Sequence, residues 1–310
     1  MILTIDLNPA IDRKYTLDRI CIGKDTALKS SVYSPGGNGI VSSALLDTFN
    51  EDSFITGFLG GINGEYYHRS LVEIGIMHEF VPIKDETRAN IKILDQEDNL
   101  TSFSEEGPRV SREEIVKFYE LYSRLMSDAN IVCGVGSVPM GVPKDIYFDF
   151  VSLANKNKKK FILNVKGDSL ASGIDASPYM VILKQRELED LMKLSLSFEN
   201  EVIKAGRYLL DKGVPYIVID LEKKGSIVLG QDKGFRIEVP YLSNAINITD
   251  NSGMSAGLAL GISRNYDMEM TLRLGQAFSI APYLNHNIMK IEMSDVKRIM
   301  SEIEIFPINY

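Results

Sequence analysis

Apolar and polar positions along this chain switch repeatedly between two periods. Residues 2–7 form a short apolar run that ends in the polar turn Asn8-Pro9. A glycine loop at 36–38 opens an apolar-periodic helix over 40–46, and residues 54–59 read as a strand running into Gly60-Gly61. A helix follows from Glu65 to about residue 74. Apolar runs at 131–134, 161–165, 180–183 and 216–220 read as buried strands, the last followed by the glycine-bounded run 225–230. Amphipathic spacing marks helices near 112–126, 144–154, 186–194 and 199–212. Strands alternating with helices predict a layered α/β fold. Two stretches, 13–34 and 90–103, alternate apolar and polar residues with no helix between them. Such hairpin strands predict a small β-sheet lid beside the main sheet. With no long linker or internal repeat, residues 1–310 read as a single domain carrying that lid.

Composition narrows the function classes. The 310 residues are 45% hydrophobic and 25% charged, ordinary for a globular chain. A chain of this length buries enough surface to need no disulfide staples. Its two cysteines, Cys21 and Cys133, are unpatterned, which points to a reducing, cytoplasmic setting. Cys133 lies in an apolar run and reads as a buried thiol. The three histidines, His68, His78 and His286, are scattered, so no metal site is expected. A net charge of −8 disfavours nucleic acid or an anionic membrane as partner. The basic block 156–160 precedes an apolar strand and reads as a solvated helix end. No run approaches the ~18 apolar residues of a membrane span.

Five segments, in order, carry a resemblance. They are Thr4-Ile5-Asp6-Leu7-Asn8-Pro9-Ala10-Ile11-Asp12, Gly36-Gly37-Asn38-Gly39-Ile40, Gly57-Phe58-Leu59-Gly60-Gly61, Thr87-Arg88-Ala89-Asn90-Ile91-Lys92 and Gly136-Ser137-Val138-Pro139-Met140-Gly141-Val142-Pro143. Together they resemble the ribokinase-like, or phosphofructokinase-B, carbohydrate kinases, nearest the 1-phosphofructokinase and tagatose-6-phosphate kinase branch. The resemblance implies a ribokinase-like α/β fold with a β-sheet lid and a homodimer through that lid. It also implies transfer of the γ-phosphoryl group of ATP, with Mg2+, onto a sugar hydroxyl, here of a ketohexose phosphate.

On the acceptor side the resemblance gives Asp12 the sugar hydroxyls and Arg88 and Asn90 the phosphate and sugar. A guanidinium suits a phosphate through paired hydrogen bonds. Gly36 and Gly37 would let backbone N–H groups approach the ligand. Asn38 replaces the lysine of the related GGKG loop, which implies weaker attraction for a phosphorylated sugar. Lys92 reads as a solvated lid residue.

On the nucleotide side the departures are larger. The family's KPNxxE segment stands as Lys184-Gln185-Arg186-Glu187-Leu188-Glu189, keeping Lys184 and Glu189 for the Mg-phosphate and its water. The SxGxxG turn stands as Asp220-Leu221-Glu222-Lys223-Lys224-Gly225, keeping only Gly225 of two glycines. Aligned on Ala256-Gly257, the catalytic GAGD becomes Thr249-Asp250-Asn251-Ser252. Ser252 then stands at the base position, and a serine hydroxyl is no base near neutral pH without a partner. Asn251 and Gly253 would flank the phosphate. Two readings stay open. Asp250 serves as a substitute base, or these polar side chains cap the helix themselves and exclude the anion. The first keeps an ATP-dependent kinase. The second implies a catalytically impaired pseudokinase that binds a sugar or sugar phosphate as a sensor.

Overall fold

The computed structural model describes residues 1–97, 99–240, 251–284 and 291–308. Within them a ten-stranded sheet and a four-stranded sheet form. The large sheet takes β1 (Ile2–Asp6), β4 (Ser53–Gly60), β5 (His78–Ile83), β8 (Ile131–Gly136), β9 (Lys160–Val165), β10 (Met180–Lys184), β11 (Tyr216–Asp220), β12 (Ser226–Gly230), β13 (Gly234–Glu238) and β14 (Glu304–Ile308). Its order is β14-β13-β12-β11-β10-β9-β8-β1-β4-β5. The pairs from β5 across to β11 are parallel, and the pairs from β11 out to β14 are antiparallel. Parallel strands are covered on both faces and therefore read as continuous apolar runs. All of β1 is buried, as are the first four residues of β10.

Successive side chains of a strand point to opposite faces, and two helical layers cover them. Leu3, Ile5, Leu163 and Leu183 pack with α3 (Arg112–Met126), α4 (Ile146–Lys156), α5 (Gly167–Asp175), α6 (Gln185–Met192) and α7 (Glu199–Asp211). Ile2, Ile55, Ile162 and Ile182 pack with α1 (Asn38–Thr48), α2 (Gly61–Ile74), α8 (Ser252–Ser263), α9 (Met268–Ile280) and α10 (Met293–Glu302). The helix α3 spans the expected residues, because Ser111 and Glu114 form a capping box at its start.

The smaller sheet runs β3-β2-β6-β7, from β2 (Ala10–Thr16), β3 (Ser30–Gly36), β6 (Ala89–Leu94) and β7 (Leu100–Ser104). Its strands fall near the two alternating stretches, but β2 starts at Ala10 and residues 17–29 form no strand. Cys133 is buried, which pushes its thiol up to about 12. Two of the scattered histidines meet: a His78 Nε2 lies 2.7 Å from His68 Nδ1. Among the described residues no three His, Cys, Asp or Glu side chains are grouped to hold a metal. No described helix is long and apolar enough to cross a membrane.

Candidate active site

The polar end of the large sheet is its carboxyl edge. Asp6, Gly136, Lys184 and Asp220 are the last residues of β1, β8, β10 and β11. Open α/β sheets bind ligands at that edge, and the smaller sheet stands beside it because β2 follows β1 after the three-residue link 7–9.

The acceptor residues converge. Parallel pairing of β2 and β6 sets Asp12 opposite Asn90. Asp12 is buried, and its Oδ1 accepts from Asn90 Nδ2 at 2.8 Å. Its Oδ2 accepts from Lys92 Nζ at 2.7 Å. Lys92 is therefore no free lid residue, contrary to the sequence reading; it is the counter-ion of Asp12. Arg88 Nε donates to the Asn8 carbonyl at 3.1 Å, and its Nη1 to Asn90 Oδ1 at 3.3 Å. Asn8 Nδ2 donates in turn to Ser137 Oγ at 3.0 Å. Gly36 lies against the Asp12 carboxylate, and a Cβ there would collide with it.

One buried carboxylate was quoted in the first motif without a role. Asp6 Oδ2 accepts from the Gly39 N–H at 2.8 Å, and Oδ1 from the Asn8 N–H at 3.2 Å. It is 1% exposed, so it sits in the floor beneath the glycine loop. A negative charge there suits the first turn of α1, whose N-cap, Gly37, has φ +102° and no side chain to offer. Asn38 begins α1 and is half-buried; its carbonyl lies 3.0 Å from Ser42 Oγ, whose one proton it shares with the Ser252 carbonyl.

The nucleotide residues are rearranged. Lys184 and Asp220 are register partners on β10 and β11. Glu222 has φ +57°, a left-handed backbone, where the related turn carries glycine. Glycine adopts that conformation without strain, whereas here a glutamate holds it. The Glu222 N–H donates to Asp220 Oδ1 at 2.8 Å, and its Oε1 lies 3.9 Å from Lys184 Nζ. Burial pushes Asp220 up to about 6, against the Glu222 N–H and Lys184, which pull it down. Burial likewise raises Glu187, whose Oε2 accepts the Lys184 N–H at 2.8 Å. Glu189, the residue that sequence spacing selected, is committed elsewhere. Its Oε1 accepts from the Leu196 N–H at 2.8 Å, and Gln185 Nε2 donates to the Leu196 carbonyl at 2.6 Å. So Glu187, not Glu189, is the carboxyl beside Lys184 and Asp220. A Cβ on Gly225 would strike the backbone of Ile237, so that glycine serves the β12–β13 hairpin.

The start of α8 completes the site. Asp250 lies outside the described residues. Asn251 is the N-cap, yet its side chain makes no capping hydrogen bond. Its Nδ2 is buried without a partner; Thr249, like Asp250 expected to help cap the helix, also lies outside the described residues. Asn164 Nδ2 braces the turn, donating to Ser255 Oγ at 3.0 Å and to the Asn251 carbonyl at 3.4 Å. Ser252 is fully buried, and its carbonyl accepts from Ser42 Oγ at 2.9 Å. Gly253 packs its Cα side against α9. With Gly257 and Gly261 it forms a stripe against α9, where a Cβ on Gly253 would meet the Phe278 carbonyl and one on Gly257 would come within 2.6 Å of the Leu274 oxygen.

Known proteins resemble this chain along nearly its whole length. The model of the pfkB family carbohydrate kinases matches residues 5–285. A 1-phosphofructokinase of Borreliella burgdorferi is 29% identical over 306 residues, covering 98% of each chain. Two solved structures of phosphofructokinase-2 from Escherichia coli superpose closely, each at 22% identity over 97% of this chain and 98% of theirs. One, in complex with fructose-6-phosphate, has a TM-score of 0.89, and the other, a tetrameric inhibited form, also 0.89. The ten-stranded sheet with its smaller companion is the ribokinase-like fold of these neighbours. The chain belongs to the pfkB family of carbohydrate kinases.

Proposed function

We propose that this family member is an active ATP-dependent kinase of a ketohexose phosphate, of the 1-phosphofructokinase type. The observation that carries the reading is the joined set Asp12, Asn90 and Arg88, held by hydrogen bonds at 2.8 and 3.3 Å beside the glycine loop. A buried carboxylate accepts hydrogen bonds from sugar hydroxyls, and a guanidinium tied to the same amide pairs with a phosphate. The sugar-bound hydroxyl oxygen would attack the γ-phosphorus; the bridging bond to the β-phosphate breaks, and ADP leaves. Catalysis of this transfer is mainly positioning and charge stabilisation.

The residues present suit a bound triphosphate. A buried amide N–H2 without a partner costs about 1–3 kcal/mol, and at the N-terminus of a helix it is a ready donor to an anion. Asn251 Nδ2 is such a donor. We assign it to the phosphoryl oxygens, in place of a glycine N–H. Lys184 would neutralise phosphate charge, and Glu187 and Asp220 would hold waters of a nucleotide-borne Mg2+. That ion supplies charge neutralisation on the phosphates. Ser252 is too buried to reach an acceptor, so the proton-accepting role is assigned to Asp250 by sequence position. Asn251 itself supplies no side-chain cap that would compete with a phosphate at the start of α8.

The small sheet acts as a lid in this reading and as the contact with a second copy. Tyr33 and Phe103 stay about half exposed on the face opposite Asp12. The test of the function is ADP release by the purified chain with MgATP and fructose 1-phosphate, tagatose 6-phosphate or fructose. Release that depends on a sugar phosphate is expected. Release with none of the sugars would overturn the reading.

A further inference from the structure

Two lysines lie side by side on the inner face of the small sheet. The parallel register of β2 and β6 sets Asp12 opposite Asn90 and, two residues on, Lys14 opposite Lys92. Alternation puts all four on one face. The partners of Asp12 and Lys14 on β3 are Ser34 and Val32, and those of Asn90 and Lys92 on β7 are Ser104 and Ser102, all uncharged. Glu105, just past β7, is turned to the Ala89 N–H. Lys92 folds back onto Asp12 at 2.7 Å. Lys14, half-buried, forms no ion pair with any described residue.

Like charges directly across a strand pair repel. Here Lys14 and Lys92 face each other, Arg88 reaches the same cluster through Asn90, and Asp12 is the face's one carboxylate. The surplus is positive, in a chain whose net charge is −8. Such a local excess is a cost unless an anion relieves it. The glycine loop, meanwhile, presents the neutral Asn38 where related loops carry lysine.

We propose that Lys14 and Lys92 join Arg88 in the subsite for the phosphate already carried by the acceptor, taking over the charge that Asn38 does not supply. This deepens the sugar-phosphate kinase reading and rests on it. Asp12, between the lysines and the glycine loop, binds hydroxyls, so the substrate is a ketohexose monophosphate whose phosphate lies away from the reacting hydroxyl. Before the sugar phosphate binds, Lys92 is held by Asp12; on binding, its remaining N–H donors turn to the phosphate.

The test is calorimetric titration of the full chain with fructose 1-phosphate, and separately with MgATP. It compares the native protein with Lys14→Met, Lys92→Met, the double variant and Lys92→Arg. Each methionine should weaken fructose 1-phosphate binding by about 10- to 100-fold, the range for a lost charge-assisted hydrogen bond. Lys92→Arg should recover most of it. MgATP affinity should stay unchanged, which also reports intact folding. Unweakened binding in the double variant would overturn the subsite. So would weakening by Lys92→Met alone with no effect of Lys14→Met, since Lys92 would then act only through Asp12. Turnover of unphosphorylated fructose with no binding of fructose 1-phosphate by the native protein would overturn the subsite and leave a sugar kinase. Neither binding nor turnover would retire the underlying reading.

Discussion

Ser42 Oγ on α1 donates to the backbone carbonyl of Ser252 on α8 at 2.9 Å. Both residues are fully buried. The helix that opens from the glycine loop is thereby bonded to the first residue of α8. The bond ties the start of α1 to the start of α8. Ser42→Ala should lower stability by about 1 kcal/mol, the usual net value of one hydrogen bond. It should also lower turnover more than substrate affinity. Thermal denaturation and steady-state kinetics on the same sample check this; unchanged values for both would show the two helices are not coupled here.

Asn251 should trade stability for function. Its Nδ2 is buried and unpaired, so Asn251→Ala should leave stability unchanged or raised, by about 1 kcal/mol or more. If the amide donates to the phosphoryl group, turnover should fall about 100- to 1000-fold, the range for a removed oxyanion donor. Urea titration and ADP release measure the two effects. A destabilised variant with full turnover would assign Asn251 to structure alone.

The glycine stripe on α8 makes a purely structural prediction. Gly257→Ala would place a methyl within 2.6 Å of the Leu274 oxygen and 2.7 Å of Gly275 Cα. Backbone cannot yield cheaply, so a loss of about 1–3 kcal/mol is expected, read as a lower urea midpoint. Gly75→Ala is the control for open space: no atom lies within 4 Å of a Cβ there, although its φ of +80° carries its own strain.

How much of this could be read beforehand varied with the kind of signal. Residues 216–220 are β11 and residues 112–126 are α3 as expected, because apolar runs and a capping box are local. The convergence of Asp12, Arg88 and Asn90 was legible because the motifs are contiguous. The nucleotide side was not. Glu187 and Glu189 are two residues apart on a helix, so spacing alone could not say which faces Asp220, and the Leu196 N–H that claims Glu189 lies beyond the helix. Glycine at 253 suits either a ligand or a neighbouring helix, and the approach of the Phe278 carbonyl shows that packing against α9 requires it. The pairing of Lys92 with Asp12 depends on strand register.

Asp220 gives the pH dependence. Its carboxyl is pushed up to about 6 by burial, above the ~3.9 of an unfolded chain. Between these values the native state holds the proton and the unfolded state has lost it, so stability falls as pH rises. Asp220→Asn keeps the Oδ1 that accepts the Glu222 N–H and removes the charge. It should therefore stabilise at pH 7, by roughly 2–3 kcal/mol at most, and by little at pH 4. Urea midpoints at both pH values check this; equal effects at the two would contradict the assignment.

The central claim is that the altered turn still binds nucleotide. Calorimetric titration of the purified chain with MgATP, with and without fructose 1-phosphate, tests it most directly. The account predicts MgATP binding in the micromolar range, lost on Asn251→Ala. Fructose 1-phosphate bound with no heat from MgATP would contradict it and restore the sensor.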